Sequence, residues 1–169
     1  FLRFNKDKLL KWEKNKNILE RSNTLNKVRE EQWKNIYGKD SNPPENISPR
    51  FLLIHSFSHL LIRQLSFECG YSSSALKERL YVNDQNMCGL LIYTSTSDAD
   101  GTLGGLSQQA DSERLKKIII NAIENAEWCS GDPLCITSNE KIIDDNNISA
   151  CHSCLLAPET SCQYYNKFL

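Results

Sequence analysis

Residues 128–135 read WCSGDPLC and residues 151–162 read CHSCLLAPETSC, with fifteen residues between them. Five of the seven cysteines lie here: Cys129, Cys135, Cys151, Cys154 and Cys162. Two thiolates three residues apart, as at Cys151 and Cys154, can grip one ion from a tight turn. Zinc takes four such soft or borderline donors in a tetrahedron. The spacing therefore predicts a zinc site that staples this end of the chain, in place of reduced cysteines that merely pack. Five thiols exceed four positions, and the spacing leaves the choice open. One solution joins Cys129 and Cys135 to Cys151 and Cys154; another uses Cys135, Cys151, Cys154 and Cys162. His152, inside CHSC, could replace a thiolate. An all-thiolate site leaves no open position for water and is structural. Its binding energy supports the folding of a loop-rich segment with few apolar residues.

The bulk composition agrees with a metal and not with a disulfide framework. The cysteine count is odd, and no apolar run approaches the roughly 20 residues needed to cross a bilayer. An intracellular, cytoplasmic location is expected, where thiols stay reduced. The formal charge is -1, yet residues 1–50 carry twelve Lys and Arg against seven Asp and Glu. The N-terminal part could lie near phosphate, while the whole chain is not a strongly basic nucleic-acid binder. The first residue is Phe1 and not Met, which reads as a piece of something longer.

Outward from the cysteines, residues 110–128 predict an amphipathic helix with Leu115, Ile118, Ile119, Ala122, Ile123 and Ala126 on its core stripe. Residues 95–109, STSDADGTLGGLSQQ, read as a polar glycine loop. Residues 87–94, MCGLLIYT, read as a buried strand, with a partner around Tyr81 and Val82. Residues 73–80, SSALKERL, predict a short helix with serine capping signals. Residues 50–69, RFLLIHSFSHLLIRQLSFEC, are apolar almost all round and predict the central buried helix, started by Ser48 and Pro49 and ended by Gly70. Residues 38–50 are a linker by composition. Residues 1–37 predict one long amphipathic helix, or two broken near Ser22 to Thr24. Residues 163–169 could begin another helix.

Three further features bear on chemistry. His55 and His59 are one helical turn apart, but HSFSH lacks the glutamate that acts as general base in HExxH. They are candidate catalytic residues for a hydrolase or nuclease that would also use the loop from Asp98 through Asp100 to Asp111. The plainer reading makes them core or supporting histidines. Gly104 and Gly105, before a helix, and Arg63 are candidate phosphate contacts. Arg63 and Arg79 could otherwise pair with Glu68 or Glu78.

The run HSFSHLLIRQLSFECGYSSSALKERLYV, then CGLLIYTSTSDADGTLGGL, WCSGDPLC and NISACHSCLLAPETSC, resembles the MrfA-type zinc-binding (MZB) domain over about residues 50–169. That family occurs at the C-terminal end of DEAD/DEAH-box helicases and in the DrmB protein of DISARM phage defence. The resemblance implies a zinc-binding accessory module beside a helicase motor. It also implies that CHSC is the second ligand pair and Cys129 with Cys135 the first. Cys162 has no clear counterpart in the helicase-borne version, so it remains a possible substitute ligand. No GKT, GKS or DEAH motif occurs in this chain, so the expected ATPase lies upstream or on another subunit.

The expectation is an α+β, helix-rich domain with a small buried β-sheet and a cysteine-rich zinc knuckle. Residues 1–49 form a basic helical extension and linker, and residues 50–169 the zinc-binding domain. The leading function is a zinc module, not itself catalytic, that supports DNA binding or assembly with a helicase in a defence complex. The hydrolase or nuclease and a pure protein-interaction scaffold are the alternatives.

Overall fold

The computed structural model describes residues 1–43, 46–83, 85–94, 105–131, 133, 135 and 150–169. Its centre is α3 (Pro49–Cys69), as the all-round apolar pattern predicts. Ser48 accepts a hydrogen bond from the Phe51 N–H, Pro49 occupies the first turn where its missing N–H costs nothing, and Gly70 closes the helix at φ +71°. Ile54, Leu61, Ile62 and Leu65 enter the main core with Leu76, Leu80, Leu90, Ile118 and Ala122.

Against α3 lies a three-stranded antiparallel sheet in the order β1 (Leu2–Arg3), β3 (Cys88–Thr94), β2 (Leu76–Val82). Leu80 of β2 and Leu2 of β1 both pair with Leu90. Residues 76–80 are thus strand, preceded only by a 3-10 turn over Ser73–Ala75, and not the short helix the serines suggested. Leu76 and Leu80 are four apart, a spacing that satisfies both a helical stripe and one face of a strand. The tertiary context selects the strand, with Leu76, Glu78 and Leu80 facing inward and Arg79 outward. The far side of β2 is met by the C-terminal segment: the Glu78 N–H donates to the Ser161 carbonyl at 3.0 Å, and the Leu80 N–H to Gln163 Oε1 at 2.8 Å. Residues 163–169 are turns and not a helix, with positive φ at Tyr165, Asn166 and Phe168.

The N-terminal residues form two helices, α1 (Lys6–Glu13) and α2 (Lys16–Tyr37). The break falls at Asn15, which caps α2 by accepting from the Asn17 N–H, and not near Ser22 to Thr24. There the hydroxyls are spent without stopping the helix. Thr24 donates back to the Glu20 carbonyl, and buried Ser22 donates to the Ile47 carbonyl at 2.5 Å. Leu9 of α1 belongs to the main core and Leu25 of α2 to a smaller one with Ile47 and Leu52. Arg50, 3% exposed, ties these layers together. It holds Glu13 through Nε and Nη2 at 2.6 and 3.0 Å and donates Nη1 to the Asn83 carbonyl.

The four-residue α4 (Gly105–Gln108) leads into α5 (Ser112–Glu124), capped by Asp111 and packed on α3. Ile118 and Ala122 are buried, while Ile123 is half-exposed. Among the described residues, no helix is long and apolar enough to cross a membrane.

Candidate metal centre

After α5 a 3-10 turn (Asn125–Glu127) brings the chain to Cys129, which is buried; Cys135, Cys151 and Cys154 are half-buried around it. Their sulfurs converge. Cys129 Sγ lies 3.4 Å from Cys151 Sγ, Cys135 Sγ 3.7 Å from Cys154 Sγ, and Cys151 Sγ 3.6 Å from Cys154 Sγ. A zinc–sulfur bond of about 2.3 Å sets tetrahedral sulfur–sulfur edges of about 3.8 Å, so these separations suit one ion. The local backbone is arranged around sulfur. The Gly131 N–H points at Cys129 Sγ (3.3 Å) and the Cys151 N–H at Cys154 Sγ (3.4 Å). Cys154 and Leu155 N–H groups both turn back to the Cys151 carbonyl, which makes the CxxC step a tight turn. Arg63 of α3 donates to the Ser153 carbonyl and fastens that turn to the central helix.

Electrostatics sets Cys151 apart from Cys135. Burial raises Cys135, and hydrogen bonding within the cluster raises it further. Burial also acts upward on Cys151. Hydrogen bonds from the Cys129 thiol and the Ser153 backbone outweigh it and lower Cys151 to about 7. A lowered Cys151 favours the thiolate, the form a metal needs.

Cys162 is not the fifth member of this group. It is buried elsewhere, with His55, His59 and Glu78, in a second set whose donor atoms lie within 4.8 Å of one another. His55 Nε2 is 3.2 Å from Cys162 Sγ and 3.4 Å from Glu78 Oε1, and His59 Nε2 is 3.5 Å from the same oxygen. Burial lowers His55 below the ordinary histidine value, against the pull of Glu78. Burial alone would raise Glu78. The His55 and His59 imidazoles beside it carry it well below the usual carboxylate range instead. Burial, then the Glu78 charge, pushes Cys162 up to about 12.

His55 and His59 are 0% and 2% exposed; His59 borders a small cavity with Arg63, His152 and Pro158, and neither ring is open to solvent. Asp111 is engaged as a helix cap, accepting from the Glu113 and Arg114 N–H groups. Gly104, Asp98 and Asp100 lie outside the described residues, and Gly105 opens the short α4. His152 is exposed and belongs to neither cluster. Glu78 does not pair with Arg79; it turns inward to the two histidines. With residues 73–80 read as a helix, Glu78 carries no sign of a metal-type donor. The inward register of the L-K-E-R-L alternation was the signal that could have found it.

A family model described as MZB, the MrfA Zn-binding domain, matches residues 57–155. The chain is also 36% identical over 170 residues to "DISARM protein DrmB" of Bacillus paralicheniformis. That alignment takes in all of this chain and 30% of the relative's length.

Proposed function

Because the chain belongs to the MrfA Zn-binding domain family, we propose that it is a zinc-stapled accessory module of a DISARM-type phage-defence complex, supporting DNA binding or assembly with a helicase. The convergence of Cys129, Cys135, Cys151 and Cys154 carries this reading. Four thiolates close the coordination shell, leave no place for a reacting water, and make the ion a structural one. The module therefore acts by the surface it holds in shape. All seven cysteines are free thiols, available to a metal. The N-terminal helices supply the positive charge for phosphate, and the helicase motor is a separate domain or subunit.

The enzyme reading fits less well, since its two histidines are enclosed. Metal analysis of single Cys→Ser variants tests the staple. Substitution at each of the four positions is expected to remove one zinc per chain. Retention of zinc by all four variants would overturn the assignment. Titrating salt against DNA affinity tests the contact: phosphate binding predicts a steep loss, and a flat profile favours a protein-interaction scaffold.

A further inference from the structure

The second cluster has the make-up of a coordination sphere. We propose that His55, His59, Glu78 and Cys162 form a second, buried zinc site, separate from the four-cysteine knuckle. His55 and His59 lie one turn apart on α3, Glu78 comes from β2, and Cys162 comes from the C-terminal segment. Zinc bonds of about 2.0–2.3 Å to nitrogen, oxygen and sulfur set tetrahedral edges of about 3.3–3.8 Å. The nitrogen–oxygen separations of 3.4 and 3.5 Å fall in that range, and the nitrogen–sulfur separation of 3.2 Å is shorter than the roughly 3.5 Å that such a pair takes around zinc.

The surroundings orient three of the four donors. His59 Nδ1 faces the Leu155 carbonyl at 3.0 Å. That bond places the proton on Nδ1 and leaves Nε2 with its lone pair turned inward, the tautomer a metal requires. His59 Nε2, fully enclosed, then turns its lone pair toward Glu78 Oε1 at 3.5 Å, an acceptor facing an acceptor, which costs free energy unless a cation lies between them. Glu78 is oriented by Ser58, which donates to Oε2, and by the Gln163 N–H at 3.2 Å from Oε1. Cys162 Sγ receives the N–H groups of Tyr164 and Asn166 at 3.3 and 3.2 Å, which is how a backbone turn supports a thiolate. Asn166 in turn exchanges two hydrogen bonds with Ala157, fixing that turn. A cation balances the buried carboxylate and a thiolate together.

All four donors come from the protein and all are enclosed, so the site is structural and ties α3, β2 and the C-terminal segment together. The proposal stands apart from the four-cysteine assignment. An anomalous difference map at the zinc edge, from crystals of the wild-type protein, decides it. The expected result is a peak between the two Nε2 atoms, Glu78 and Cys162, in addition to one among the four cysteines. A peak at the four cysteines alone overturns this proposal and leaves the knuckle standing; a peak here alone does the reverse. Metal analysis gives a second readout. Cys162→Ala and Glu78→Gln are each expected to lose one zinc per chain, and Cys162→Ala with Cys154→Ser to lose two. Full zinc retention by folded Cys162→Ala and Glu78→Gln overturns the site. Where either variant does not fold, the wild-type map is decisive.

Discussion

The two clusters are built in opposite ways. The four cysteines come from two short stretches after α5, sit partly at the surface, and are held by tight turns whose N–H groups point at sulfur. The His55, His59, Glu78 and Cys162 group draws on three segments up to 107 residues apart and lies wholly inside. A cluster set by local turns can be lost without unmaking the domain, whereas one set by tertiary packing is part of the core itself.

That difference is open to attack by substitution. Glu78→Ala should have the largest effect. It removes the carboxylate that two buried histidines and Ser58 share, and should cost about 3–5 kcal/mol in urea unfolding. A cost near zero would make the inner cluster as dispensable as a surface one. Cys154→Ser should come next. Protease sensitivity should appear after residue 128, while the α3 core keeps its helical circular dichroism and loses roughly 1–2 kcal/mol. Global unfolding would instead show that both clusters support one cooperative unit. Arg63→Ala removes the exposed bond to Ser153 that joins the knuckle to α3, and should cost about 0.5–1 kcal/mol in the same measurement. Trp128→Ser, at a side chain 71% exposed, should shift thermal stability by no more than about 0.5 kcal/mol. A larger shift would place Trp128 in the structure of the knuckle and not merely beside it.

The same contrast explains what could be read from residues alone. The cysteine grouping was legible because a CxxC step is a statement about one turn, and the central helix because its apolar residues and its Ser48, Pro49 and Gly70 signals are all local. The family resemblance to the MZB domain rested on those same stretches and is matched over residues 57–155. The partner of Cys162 was not legible. It required knowing that residues 76–82 are a strand, so that Glu78 points at α3, and that the C-terminal segment runs along β2. The break between α1 and α2 was misplaced for a related reason. Ser22 and Thr24 look like helix stops, but their hydroxyls find carbonyls at Ile47 and Glu20, and Ile47 is remote in sequence.

The C-terminal segment alongside β2 has one more consequence. A three-stranded antiparallel sheet has two open sides, and unpaired N–H and carbonyl groups there invite a strand from another molecule. Here one side ends in the two-residue β1, too short to template much pairing. On the other, the N–H groups of Glu78 and Leu80 are already taken by Ser161 and Gln163. The segment that delivers Cys162 to the interior thereby also guards the sheet, and a chain cut before residue 161 is expected to self-associate through β2.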